Sequence, residues 1–189
     1  MPHEVIIIGG PNGAGKSTLA YEFVDHHGHT YLSADHIAAK LDPEQPARAK
    51  MQAGKLFFKR MNTLIDSRAS FIVESTLAGK GIGRLIDDLQ KAGYTIRLAF
   101  VFVDSPDLCV RRVRERVLQG GHDVPEQDIV RRFYRSKRNF WHVYRGKVDR
   151  WYLFYNGSES FQEVAVGRQA EYSVSDEALF EQFIQDVSE

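Results

Sequence analysis

Cysteine is nearly missing from this chain. Cys109 is the only one in 189 residues, which excludes a disulfide framework and a thiolate metal site. Long apolar runs are missing too. Nothing approaches the roughly 18 consecutive apolar residues of a membrane span, and the β-branched run at residues 5–8 is far too short to be one. The start, Met1-Pro2-His3-Glu4, has neither the basic flank nor the apolar core of a secretory leader. No repeat, linker or low-complexity stretch stands out. These absences predict a cytoplasmic protein without a membrane partner. What is present fits an ordinary globular chain. It is 43% hydrophobic and 26% charged, with a length suited to one α/β domain spanning 1–189.

Net charge is zero, yet the signs are unevenly spread. Residues 111–150 carry ten Arg and two Lys against five acidic residues. Residues 151–189 carry Arg168 alone against eight acidic residues. The middle block must meet an anion, be screened by the tail, or both; two solvated helix faces of opposite sign are the plainer reading.

Strand-like and helix-like segments alternate along the chain. Residues 5–8, 30–33, 70–75, 95–103 and 151–155 read as strands, and 161–166 with 171–174 as a hairpin around Gly167. Residues 16–26, 46–68, 83–92, 106–118, 125–144 and 176–187 read as helices, the last capped by Asp176. This alternation predicts a parallel sheet covered on both faces. With the glycine-rich run GPNGAGKS at residues 10–17 between the first strand and the first helix, the expected architecture is a P-loop NTPase three-layer sandwich. Its core would be a five-stranded parallel sheet of order 2-3-1-4-5, with a helical lid arm at about 111–132 and a C-terminal hairpin. Gly120-Gly121 would be the hinge of the arm.

The strongest chemical signal is Gly10-Pro11-Asn12-Gly13-Ala14-Gly15-Lys16-Ser17, followed by Thr18. It lies between a predicted strand and a predicted helix, as a phosphate-binding loop requires. Glycines let the backbone curl so that successive N–H groups point at phosphate oxygens, and the following helix adds its positive end. Lys16 brings a mobile charge to the β- and γ-phosphates, and the Ser17 hydroxyl can ligate Mg²⁺. The expected ligands are therefore ATP and Mg²⁺. A second carboxylate should steady the metal. Both Glu74 and Asp104 end predicted strands, and the sequence does not choose between them. Asp104 also reads as a helix-opening residue. No Leu-Ser-Gly-Gly-Gln signature is present, which argues against an ABC-type ATPase.

The order of these blocks resembles the zeta-toxin family of P-loop kinases, and within it the short bacterial members described as predicted ATPases. The resemblance rests on residues 9–18, on Ser33-Ala34-Asp35, and on Phe71-Ile-Val-Glu-Ser-Thr-Leu-Ala-Gly79. Arg112-Val-Arg-Glu-Arg116, the Gly-Gly-His arm before Pro125, and Ile129-Val-Arg-Arg132 complete it. It implies a kinase acting on a small-molecule hydroxyl, with a sugar nucleotide such as UDP-N-acetylglucosamine as the acceptor and a protein antitoxin as a partner. It also implies Asp35 as the base, Glu74 and Thr76 facing the substrate, and Arg116 with Arg131 or Arg132 clamping phosphates.

The residues themselves allow plainer readings. Asp35 can accept a hydroxyl proton or merely cap a short helix. Arg112 and Arg116 share a helix face, whose apolar side would be Val110, Val113 and Val117. His122 sits in a glycine-flanked loop as a candidate substrate contact. Lys55 follows a mid-helix glycine in the region expected to close over an acceptor. His26, His27 and His29 cluster, but no Cys or carboxylate spacing follows them, so no metal site is expected there. Trp141, Tyr144 and Trp151 are expected to pack between helix and sheet. Two other function classes remain: a nucleic-acid kinase or binder using Phe133, Tyr134, Phe140, Trp141 and Tyr144 as a stacking platform, and a non-catalytic ATP switch. Nucleic acid is not the expected partner.

Overall fold

The computed structural model describes residues 3–79, 81–157 and 160–188. Met1 and Pro2, part of the start read above for a leader, lie outside the described residues, as do Glu159 and Glu189 of the acidic tail. One sheet runs through the molecule in the order β2-β3-β1-β4-β5-β6-β7. Its strands are β1 (Glu4–Gly9), β2 (Thr30–Leu32), β3 (Phe71–Ser75), β4 (Thr95–Phe102), β5 (Arg150–Asn156), β6 (Phe161–Arg168) and β7 (Glu171–Val174). The first five are parallel, in the predicted order. The last two are antiparallel and extend the same sheet. The turn of that hairpin falls at Gln169, which has φ 51°, and not at Gly167. Gly167 lies within β6, where a Cβ would come within 2.5 Å of the Trp151 ring. It is a site of close packing, not a turn.

The alternation of side chains along β1 explains the two faces. Val5 and Ile7 point to one cluster, Ile6 and Ile8 to the other, and none is more than 1% exposed. Each such side chain contributes roughly 2 kcal/mol by leaving water. The first face is covered by α2 (Ala34–Leu41), α3 (Lys50–Asp66), α4 (Gly81–Lys91) and α7 (Glu177–Gln185). The second is covered by α1 (Lys16–His27), α5 (Pro106–Leu118) and α6 (Glu126–Asn139). The predicted helix at 46–68 begins later, at Lys50, and a separate helix, α2, precedes it. The helix predicted to Tyr144 is α-helical only to Asn139 and widens into a π-turn at Phe140–Tyr144. Phe140 there stacks on Phe100 at 4.6 Å and meets Trp151 edge-on at 5.8 Å. No helix among the described residues is long and apolar enough to cross a membrane.

The acidic end is tied to the basic block by a contact that composition does not reveal. Lys137 is 0% exposed. Its ammonium lies 4.1 Å from the Phe133 ring centroid and 5.2 Å from that of Phe102. It donates to Asp186, just past α7. Burial pushes the lysine pKa down, while the hydrogen bond and charge of Asp186 push it up. Removing one partner of such a pair costs more than replacing the charged member by an apolar one. Asp186 keeps part of its surface in water, which discounts the effect. Asp186→Ala should therefore lower unfolding free energy by roughly 2–3 kcal/mol, and Lys137→Met by clearly less. Urea denaturation of the two variants checks the order; equal losses would mean that the pair acts through packing alone.

Candidate active site

The loop from Gly10 to Lys16 leaves β1 and enters α1 through three glycines at positive φ: Gly10 at 145°, Gly13 at 79° and Gly15 at 95°. L-residues avoid these angles. Space forbids side chains there as well. A Cβ at Gly10 would collide with the Val101 carbonyl, and one at Gly13 would lie 2.6 Å from the Cys109 carbonyl. The loop is braced from outside by Asn156, whose amide donates to the Ala14 carbonyl at 2.8 Å. Its backbone N–H groups are thus set in a curl at a helix N-terminus, an arrangement suited to phosphate.

Four groups meet beside this curl. Lys16 is 6% exposed; its Nζ donates to the Pro11 carbonyl at 2.9 Å and lies 3.8 Å from Glu74 Oε1. The Ser17 hydroxyl donates to Glu74 Oε2 at 2.8 Å. The Tyr31 hydroxyl donates to the same oxygen at 2.5 Å. Burial first, then the charge and hydrogen bond of Glu74, push the Tyr31 pKa upward, so the phenol stays protonated as a donor. Ser17 and Glu74 offer hard oxygen donors of the kind Mg²⁺ takes, so the residues present fit that ion. Asp104 is elsewhere. It accepts from Tyr155 at 2.7 Å in a separate cavity of about 480 Å³. Nor does it open α5, since Ser105 caps that helix by accepting from the Leu108 N–H at 3.2 Å.

A cleft of about 730 Å³ spreads from the loop. Asn12, Gly13 and Gly15–Thr18 line it, while Gly10, Pro11 and Ala14 lie behind them. Asp35 opens onto it from the first turn of α2. It is not the cap of that helix: Ser33 is, accepting from the His36 N–H at 3.4 Å. Thr76 lines the cleft too, on a turn set by local bonds. The Ser75 hydroxyl accepts from the Leu77 N–H at 3.1 Å, and Leu77 takes φ 56°. Asn139 holds that turn by donating to the Leu77 carbonyl at 2.7 Å.

The basic arm supplies the opposite wall. Arg112, Arg116, His122 and Arg132 all line the cleft. Arg132 donates to the Asn12 side chain at 3.2 Å, whereas Arg131 points outward to Asp128 at 2.8 Å. Arg116 donates to the His122 carbonyl at 2.6 Å, and its buried Nε has no partner among the described residues. A buried unpaired donor is costly, and an anion in the cleft would relieve it. Burial, aided by the charge of Lys50, pushes the His122 pKa below its usual value, while Asp35 opposes the shift. The two glycines do not simply swing. Gly120, at φ 83°, ends α5, and the Gly121 N–H donates back to the Arg116 carbonyl at 2.9 Å. Val117 is 36% exposed, so it is not part of the apolar side that Val110 and Val113 form.

Lys55 is exposed on α3 and does not line the cleft. Phe133, Phe140 and Tyr144 are buried, which removes most of the aromatic platform considered for nucleic acid. Tyr31, Asn156 and Asn139 were not singled out in the sequence. Tyr31 sits in the short strand before Ser33-Ala34-Asp35, which is the one local hint of its place.

The family model of the AAA domain matches residues 5–136. The chain belongs to that family. It is 31% identical over 134 residues to an uncharacterized protein of Haemophilus influenzae, a match covering 71% of this chain and 94% of that one. Its fold is similar to that of the AvrRxo1-ORF1:AvrRxo1-ORF2 complex solved with ATP, at TM-score 0.78 and 16% identity, over 96% of this chain. The chain spans only 63% of that protein's length. It is also similar to a structure of the PezAT toxin–antitoxin system of Streptococcus pneumoniae, at TM-score 0.65 and 15% identity, over 99% of this chain and 87% of that one. The architecture is that of a P-loop NTPase.

Two outcomes are expected of this geometry. Lys16→Ala should abolish nucleotide turnover, because the loop loses its one side-chain charge; undiminished turnover would remove the loop from the chemistry. Tyr31→Phe should raise the Mg²⁺ concentration needed for half-maximal turnover several-fold, with binding of metal-free ATP unchanged. An unaltered Mg²⁺ dependence would show that Glu74 keeps its position without the phenol.

Proposed function

We propose that this chain is an ATP-dependent phosphotransferase of the zeta-toxin type, moving the γ-phosphate of ATP to a hydroxyl of a small molecule. A sugar nucleotide such as UDP-N-acetylglucosamine is the first acceptor to try. One observation carries the reading: Asp35 opens onto the same cleft as Lys16, Ser17, Arg116 and Arg132. An ATP-binding switch needs the phosphate cradle alone. A carboxylate facing that cradle from another element, with room between, suits a reaction with an acceptor.

In this reading Asp35 accepts the proton of the attacking hydroxyl at its carboxylate. Lys16 neutralises the β- and γ-phosphates. Arg116 and Arg132 donate to the transferring group through planar forks that keep their charge. Glu74 and Ser17 would hold a magnesium ion, whose charge would offset that of the phosphate oxygens. Thr76 and His122 contact the acceptor. The arm, fastened at its base through Val124, Ile129 and Phe133, closes over the bound triphosphate and excludes water. The complexes formed by AvrRxo1-ORF1 and by the PezAT system support a protein partner of antitoxin type for this chain as well.

A metabolite-pool screen with γ-labelled ATP tests the reading directly. A labelled sugar nucleotide is the expected product; release of inorganic phosphate alone would replace it with an ATPase. Asp35→Asn should reduce transfer by about 10²–10⁴-fold with ATP affinity nearly unchanged. Arg116→Ala should depress kcat far more than it weakens ATP binding, because its contact matters most in the transition state. Equal losses would make Arg116 a ground-state anchor.

A further inference from the structure

The opposite end of β1 carries a cluster that the phosphate site does not use. His27 is the last residue of α1, and Gly28, at φ 66°, turns the chain so that His29 comes back beside it. The two imidazoles stack at 5.4 Å between centroids. Glu4, the first residue of β1, faces them. One ligand atom from each of Glu4, His27 and His29 can be chosen so that all lie within 4.8 Å of one another. The carboxylates nearest in sequence, Glu22 and Asp25, are not in the converging set; the sheet brings Glu4 from 23 residues or more away.

We infer that Glu4, His27 and His29 form a site for a divalent first-row metal ion, with Zn²⁺ as the ion of choice. Two imidazoles and one carboxylate are a donor set that zinc accepts with a fourth position left to water. Around a tetrahedral zinc, donor atoms stand about 3.4 Å apart, from bond lengths of about 2.0–2.1 Å. His29 Nε2 and Glu4 Oε1 are already 3.6 Å apart. The widest pair, within 4.8 Å, must close by up to about 1.4 Å to reach that spacing, which half-buried rings at a helix end can do by side-chain rotation. The carboxylate divides its labour. Oε1 faces His29, while Oε2 accepts from Arg97 of β4 at 2.9 Å. A hydrogen-bonded carboxylate of this kind is the usual outer support of a metal ligand, since it fixes which oxygen is offered. The backbone of Glu4 is held as well, its N–H donating to Ser70 Oγ at 3.0 Å. His26 meets His27 edge-on but is exposed and outside the converging set.

The site is separate from the phosphate loop. Glu4 and Gly9 bound β1, so the two ends stand roughly 16 Å apart at about 3.3 Å per residue. An ion there would clip the last turn of α1 to the start of β1. Since the unfolded chain does not bring these three groups together, binding would raise the stability of the fold.

The experiment uses the whole chain, stripped of metal by chelation and dialysed. Co²⁺ is titrated in and followed by the visible absorption of four-coordinate cobalt, then displaced by Zn²⁺. One ion per chain is expected, with a raised melting temperature at stoichiometric Zn²⁺. His27→Ala and His29→Ala should each weaken Zn²⁺ binding at least about tenfold, and His26→Ala should leave it unchanged. Glu4→Gln should weaken it likewise; if that variant fails to fold for want of the Arg97 contact, the two half-buried histidines still decide. No saturable binding, or equal binding by wild type and both histidine variants, would overturn the proposal.

Discussion

The site depends on a backbone curl that the rest of the chain must hold open. Between β1 and α1, three residues take left-handed or mirror conformations, and two of them press against carbonyls of other elements. Val101, at the end of β4, and Cys109, on α5, supply those carbonyls; Asn156, at the end of β5, ties the loop from a third side. Each of these elements is fixed by burial. The sheet order puts β4 beside β1 and β5 beside β4, so the loop is surrounded by strand ends that cannot drift. The phosphate cradle is therefore a product of the sheet as much as of the glycines.

Glu74 joins that cradle to its surroundings. It is the penultimate residue of β3, the strand paired to β1 on the side away from β4, with Glu74 in register with Ile8. It accepts from Ser17 at the start of α1 and from Tyr31 in β2. Three elements thus share one carboxylate, and a change in any of them moves the others. Arg116 is the complementary feature on the far wall, a half-buried side chain whose buried Nε has no partner among the described residues. A negative group on one side and arginines on the other give the cleft a direction, which a triphosphate with its metal can satisfy.

Much of this was legible in residues taken a few at a time. The glycine spacing and the β-branched run before it marked the loop, because both the curl and the buried strand are local demands on residue type. The five parallel strands were legible from alternating patterns, and their order from those patterns together with the kinase-like arm. The joining of the hairpin β6–β7 to the same sheet, the placing of its turn at Gln169 and the π-turn at Phe140–Tyr144 were not. Each is a packing solution, set by what Phe100, Trp151 and the hairpin need from their neighbours. Asp35 was visible but ambiguous; the cap turned out to be Ser33, two residues earlier, which local sequence could not separate from it.

The sequence by itself determined the elements and the loop, since period, glycine placement and capping residues act over a few residues. Tertiary structure alone decided which charges meet. Ser17 and Glu74 are 57 residues apart in the chain, and Arg132 and Asn12 are 120 apart. Asp104 resembles Glu74 as text yet faces another cavity, and Arg131 and Arg132 both reach Asp128 yet only Arg132 also reaches Asn12 and lines the cleft. Lys137 finds Asp186, and Glu4 finds the histidines, in the same way. Strands adjacent in a sheet are distant in sequence, so the partner of a polar side chain is a property of topology, and no local pattern encodes it.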